Sequence, residues 1–334
     1  MPARAEVPAF TPVNLITGFL GSGKTTLLRR LLDDPALADT AVLINEFGEI
    51  GLDHHLLGRI DETMVLLPSG CLCCTIRGEL SAAIRDLHER RDRGEVPPFR
   101  RLAIESTGLA DPFPILSTVQ ADPVLRHHFR WGNVVTTVDA VNGGAQLDRR
   151  RESLKQAAIA DRLVLTKTDL ADAAEVEALI GRLRRLNPTA PLVRAADGPV
   201  SADALLAHDL FAAATRADAA RHLAAVAETD QGHGDDVHAF ALSLDGIVDW
   251  TRFGLWLTML LNRHGEKVLR VKGILNVAGS DAPVAVHGVQ HLVHPPIHMA
   301  GWPDDDRRSR LVFIVDGLEK AAIDRSLRAF LGRA

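Results

Sequence analysis

The 334-residue chain contains no tyrosine and only three cysteines. Without tyrosine, no phenol can stack on a base or act as a general acid. Three cysteines cannot build a disulfide framework, and all three fall in the run Cys71-Leu72-Cys73-Cys74. With no thiol elsewhere to pair with, that cluster reads more naturally as a ligand set. Basic residues (38) do not exceed acidic ones (43), and the net charge of −5 leaves no electrostatic footprint for nucleic acid or an anionic membrane. Apolar runs are broken by charge well short of the roughly 20 residues that a membrane span needs. Residues 1–11 carry no apolar signal core. Together these absences make a cytoplasmic globular protein with reduced thiols the expectation.

What the chain does have is alternation. Apolar stretches at residues 12–17, 40–44, 64–67, 101–104, 133–138 and 162–165 read as buried strands, and helical periodicity falls at 25–32, 79–91 and 173–186. Strands alternating with helices predict an α/β fold: a parallel sheet of the P-loop NTPase kind with helices on both faces. Beyond an Ala-rich stretch the pattern changes. Strands at 237–244, 268–277, 283–293 and 310–315 with helices at 249–263 and 318–331 predict a smaller α+β domain with an antiparallel sheet. The expected division is a nucleotide-binding domain over 8–210, a linker over 211–235 and a C-terminal domain over 236–334.

The run Gly18-Phe19-Leu20-Gly21-Ser22-Gly23-Lys24-Thr25 matches the full phosphate-loop pattern between a strand and a helix. Its glycines let main-chain N–H groups turn inward on phosphate oxygens, and the helix that follows aims its positive end at them. Gly18, Gly21, Ser22, Gly23, Lys24, Thr25 and Thr26 form the expected phosphate-binding set. Lys24 reaches the β- and γ-phosphates, and Thr25 ligates Mg²⁺. Glu105-Ser106-Thr107-Gly108 closes the third main strand, where an acid can hold Mg²⁺ through water and the Gly108 N–H can sense a γ-phosphate. Asn45-Glu46-Phe47-Gly48-Glu49 is a candidate switch segment, with Glu46 facing the metal or the attacking water. In Thr166-Lys167-Thr168-Asp169, Asp169 can accept from guanine N1 and N2 while the stem of Lys167 covers the base. Asn is usual where Thr166 stands. Lys24, Glu46 and Glu105 are the catalytic candidates.

Three thiolates on one short loop suit a thiophilic ion. Zn²⁺ favours four ligands with sulfur at about 2.3 Å, so Cys71, Cys73 and Cys74 leave one position for water, a carboxylate, a histidine or a partner's ligand. Co²⁺ and Ni²⁺ stay within reach of such a set, as does Cu⁺. A redox pair of Cys71 with Cys74, or packed structural thiols, are the competing readings. His287, His291, His294 and His298 run at near-helical spacing, but Pro295 and Pro296 interrupt it and the valines around them read as strand. A strand puts His287 and His291 on one face and His294 on the other, which argues against a second metal site.

In this order, these segments resemble the CobW-type GTPases, relatives of HypB and UreG. The stretch Val268-Leu269-Arg270-Val271-Lys272-Gly273-Ile274-Leu275, with Gly288-Val289-Gln290 and Trp302, resembles the C-terminal domain of that family. The resemblance implies GTP hydrolysis to GDP with Mg²⁺, coupled to delivery of zinc, or in some members cobalt, to an acceptor metalloprotein. It implies that the three cysteines bind the metal, and Thr or Ser is common in the family at position 166. Many members carry a His-rich run between the domains, whereas this chain has only His233 and His238 there. A homo-oligomer is left open. A P-loop ATPase or kinase, and a metal-responsive binding protein with incidental turnover, are the alternatives.

Overall fold

A computed structural model describes residues 10–44, 64–66, 74–198, 205–206 and 236–333, with main chain only at 64–66 and 74–77. The candidate switch segment at 45–49, Cys71, Cys73, the Ala-rich stretch apart from 205–206, and the linker lie outside them. The chain divides into two compact units: residues 1–156, 160–176 and 192–210 in one, and residues 157–159, 177–191 and 211–334 in the other.

The first unit is built on a seven-stranded sheet. Its strands are β1 (Thr11–Gly18), β2 (Thr40–Ile44), β3 (Met64–Leu66), β4 (Arg101–Glu105), β5 (Phe129–Asp139), β6 (Arg162–Thr166) and β7 (Leu192–Arg194), in the order β3-β2-β4-β1-β5-β6-β7. Every pairing is parallel. Strands β2 and β6 are buried at every position, which requires cover on both faces and explains why they read as continuous apolar runs rather than alternating ones. On one face Ile16, Val42, Ala103, Val135 and Val164 pack with Leu27, Leu28 and Leu31 of helix α1 (Lys24–Leu32). Burying a leucine of this kind is worth about 2 kcal/mol.

The register sets where the chemistry falls. Ile16 lies beside Glu105, Gly18 beside Thr137, and Asp139 beside Thr166. The carboxyl ends of β1, β4, β5 and β6 are therefore level, and ligands of open parallel sheets bind at that edge.

The second unit carries an antiparallel sheet of β8 (Val237–Leu244), β9 (Val268–Leu275), β10 (Val284–Val289), β11 (Leu292–Val293), β12 (Ile297–His298) and β13 (Ser309–Asp316). Phe253, Trp256 and Leu261 of one helix (Trp250–His264) and Ile323 and Leu327 of another (Lys320–Leu331) pack on Val271, Leu311 and Phe313. Trp256 satisfies its indole N–H on Ser326 Oγ at 3.0 Å.

Three sequence expectations are corrected. The strand over 283–293 is two strands joined by a tight turn, in which Gln290 adopts φ 50°. His294 N–H donates to the His287 carbonyl at 3.0 Å, so these two histidines oppose each other across a hairpin and His291 sits in the turn. The helix expected at 79–91 begins at Cys74 and runs to Asp92. Strand β7, three half-buried residues, is too short to announce itself by periodicity.

Candidate nucleotide site

The phosphate loop leaves β1 at Gly18, where φ is 141°. A Cβ there would stand 2.3 Å from Thr137 Oγ1, 2.4 Å from the Thr137 carbonyl and 2.7 Å from Ser22 Oγ. Only glycine fits a turn so close to β5. The loop is then stitched to its neighbours: Ser22 Oγ bonds Thr137 Oγ1 at 2.6 Å, and the Ser22 carbonyl accepts from Thr166 Oγ1 at 2.8 Å. Gly23 caps α1 with φ 90°, and the first-turn N–H groups of that helix open onto the loop.

Lys24 is buried, and its Nζ donates to the carbonyls of Gly18 and Phe19 at 3.1 and 3.2 Å. These bonds fold its cation over the loop. Thr25 Oγ1 donates to Glu105 Oε1 at 2.6 Å, bringing a hydroxyl and a carboxylate from separate elements together at the edge of the sheet. Two hard oxygen donors beside a phosphate cradle are what Mg²⁺ takes up in nucleotide sites, with water completing its shell. The residues present fit that ion. Thr26 follows on α1 and is exposed.

After β4 the chain turns through residues 106–110. Ser106 N–H donates to the Ile16 carbonyl at 3.0 Å and Ser106 Oγ to Thr17 Oγ1 at 2.8 Å. Gly108 lies directly on the phosphate loop. A Cβ at this position would be 2.5 Å from Leu20 N and 2.7 Å from Leu20 Cα, both main-chain atoms that cannot swing aside.

The third part of the site is the end of β6. Thr166 Oγ1 bonds both Ser22 and Val138 carbonyls, at 2.8 and 3.2 Å. The threonine thus supplies the link to the neighbouring loop that an asparagine amide would otherwise make. Lys167 takes a left-handed backbone conformation, φ 57°, uncommon for a lysine, and its Nζ is anchored on Asp139 Oδ2 at 2.7 Å. Asp169 is exposed two residues further on. Of the sequence candidates, the structure brings Lys24, Thr25 and Glu105 together, and gathers Gly18, Ser22, Gly23, Gly108, Thr166 and Lys167 around one loop. Glu46, Cys71 and Cys73 lie outside the described residues, as does the side chain of Cys74.

Sequence reasoning missed Thr137 and Asp139. Burial disfavours the charge of Asp139, but hydrogen bonds from Lys167, Asn142 Nδ2 and the Val141 N–H outweigh it and hold its carboxyl below the usual range. It is therefore ionised at neutral pH and pins the stem of Lys167. The signal existed: Asp139 ends an apolar strand just as Glu105 does.

Comparison with known proteins agrees with this architecture. The profile described as "CobW/HypB/UreG, nucleotide-binding domain" matches residues 12–194, and that of the "Cobalamin synthesis protein cobW C-terminal domain" matches residues 237–331. The zinc chaperone YjiA of Escherichia coli (strain K12) is 35% identical over 302 residues, covering 90% of this chain and 93% of that protein. The zinc chaperone CobW of Pseudomonas aeruginosa is 31% identical over 363 residues, covering 96% and 91%. The crystal structure of the Zn(II)-bound YjiA GTPase from E. coli superposes with a TM-score of 0.71 at 28% identity, covering 96% of this chain and 99% of that one. Among the described residues no helix is long and apolar enough to cross a membrane.

Proposed function

The chain belongs to the CobW/HypB/UreG family, and on that premise we propose that it is a GTP-hydrolysing metallochaperone. It carries zinc on Cys71, Cys73 and Cys74 and passes the ion to an acceptor protein under control of the bound nucleotide. The observation that carries the hydrolase half is the meeting of Lys24, Thr25 and Glu105 at the mouth of the phosphate loop. Lys24 neutralises charge on the β- and γ-phosphates, and main-chain N–H groups of the loop and of α1 cradle their oxygens. Thr25 directly and Glu105 through water would hold Mg²⁺, and the ion would supply positive charge against the negative charge that develops on the transferred phosphoryl group. Glu46 orients the attacking water.

The chaperone half is supported by the relatives that carry zinc in their names and by the chemistry of three soft ligands. An incomplete tetrahedron holds an ion that can be handed on, because the fourth ligand can come from the acceptor. In the sequence, residues 45–53 follow β2 and precede the cysteines, and nucleotide contacts made by that segment are the means by which the metal site would be altered. Cobalt fits the same ligand set less selectively.

Base choice tests the nucleotide assignment. Asp169→Ala removes two charge-assisted hydrogen bonds to guanine, each worth about 1.5–3 kcal/mol. Titration with fluorescent nucleotides should show guanine affinity reduced about a hundredfold or more and adenine affinity unchanged. Equal losses for both bases, or no loss, would sink the guanine reading and favour an ATPase.

A further inference from the structure

Gln156 projects from the helix Arg151–Ile159 and is 1% exposed. Its Nε2 donates to the carbonyls of Gly108 and Ala110 at 3.2 and 3.1 Å. Its own main-chain carbonyl accepts from Thr136 Oγ1 at 2.7 Å, which ties the helix to β5. The preceding residue, Lys155, pairs with Asp111 at 2.8 Å. Two consecutive residues of one helix therefore hold residues 108–111, the segment that lies on Leu20 of the phosphate loop.

The orientation of the amide is dictated by its partners. Flipped, Oε1 would face two carbonyl oxygens. So placed, Oε1 is buried with no hydrogen-bond partner among the described residues. Methionine, of similar length, would leave no acceptor of its own unpartnered but would strand the Gly108 and Ala110 carbonyls. What glutamine adds is two donors, and both are spent on this loop. A trans peptide puts C=O and N–H on opposite sides, so pinning the Gly108 carbonyl also turns the Leu109 N–H away from the helix.

We propose that Gln156 is a positioning residue for GTP hydrolysis, locking the loop after β4 against the phosphate loop so that its N–H groups meet the γ-phosphate without reorganisation. This rests on the GTPase reading above. Preorganised donors matter most where charge develops, so the effect falls on kcat rather than on nucleotide affinity.

The test is Gln156→Met in the full chain. It removes both donors and the unpartnered acceptor while keeping volume. The expected result is kcat for GTP lowered about tenfold, KM and GDP affinity within twofold of native, a melting temperature lowered by only a few degrees, and faster amide hydrogen exchange at residues 107–111. A folded variant with native kcat and native exchange overturns the proposal. A native chain that turns over no GTP would defeat the GTPase reading alone, and exchange at 107–111 would still decide whether Gln156 holds the loop. Should Gln156→Met fail to fold, Lys155→Met removes the partly exposed second tie to the same loop. It should speed exchange there and lower kcat about threefold, and native values for both would overturn the proposal.

Discussion

Replacing Lys24 with alanine should lower single-turnover GTP hydrolysis by a hundredfold or more while leaving the protein folded. Lys24 is the cation held over the phosphate loop by the Gly18 and Phe19 carbonyls. Its charge acts in a partly dehydrated cradle, where one positioned donor is worth about 10²–10³ in rate. The structural cost is smaller, since each lost hydrogen bond to a loop carbonyl is worth about 1 kcal/mol. Rapid-quench kinetics and thermal melting on the same preparation separate the two effects. Turnover within threefold of native would mean that the phosphates lie elsewhere. An equal collapse of stability and rate would leave the catalytic role without support.

The second large effect concerns the metal. Cys73→Ser should weaken zinc binding by about a hundredfold or more. Structural zinc in small peptides is worth about 10–16 kcal/mol over four ligands, so one thiolate accounts for ~3 kcal/mol. A neutral serine hydroxyl replaces little of that. Competition against a chromophoric chelator measures it directly. A loss below threefold would return the cluster to its redox or packing reading. A diagnostic companion is the proton count, because thiols that ligate zinc release protons on binding and the apparent affinity rises with pH.

Much of the first unit was legible because its physics is local. The glycines between 18 and 23, a lysine and a threonine after them, and leucines at helical spacing up to Leu32 all lie in one run of fifteen residues, 18–32. Glu105 was readable as an acid closing an apolar strand. Its partner Thr25 stands 80 positions away, and the phosphate-loop pattern supplied that link. Thr137 and Gln156 were not readable. Their roles come from strand order, which places β5 beside β1 and level with Gly18, and no periodicity encodes strand order. The hairpin at Gln290 was hidden for another reason. A left-handed turn residue is usually Gly, Asn or Asp, and here it is glutamine, so the valine-rich stretch read as one strand. The clustered thiolates of Cys71, Cys73 and Cys74 pointed to a thiophilic ion, and the resemblance narrowed that ion to zinc or cobalt.

In the proposed metallochaperone, nucleotide state and metal affinity are coupled. Coupling is a free energy, and it is reciprocal. The most direct measurement is a zinc titration of the native chain saturated with a non-hydrolysable GTP analogue and Mg²⁺, repeated with GDP and Mg²⁺. Kd values for zinc should differ by at least tenfold, about 1.4 kcal/mol, with a matching change in nucleotide affinity when zinc is bound. Identical zinc affinities in the two nucleotide states would contradict the coupling.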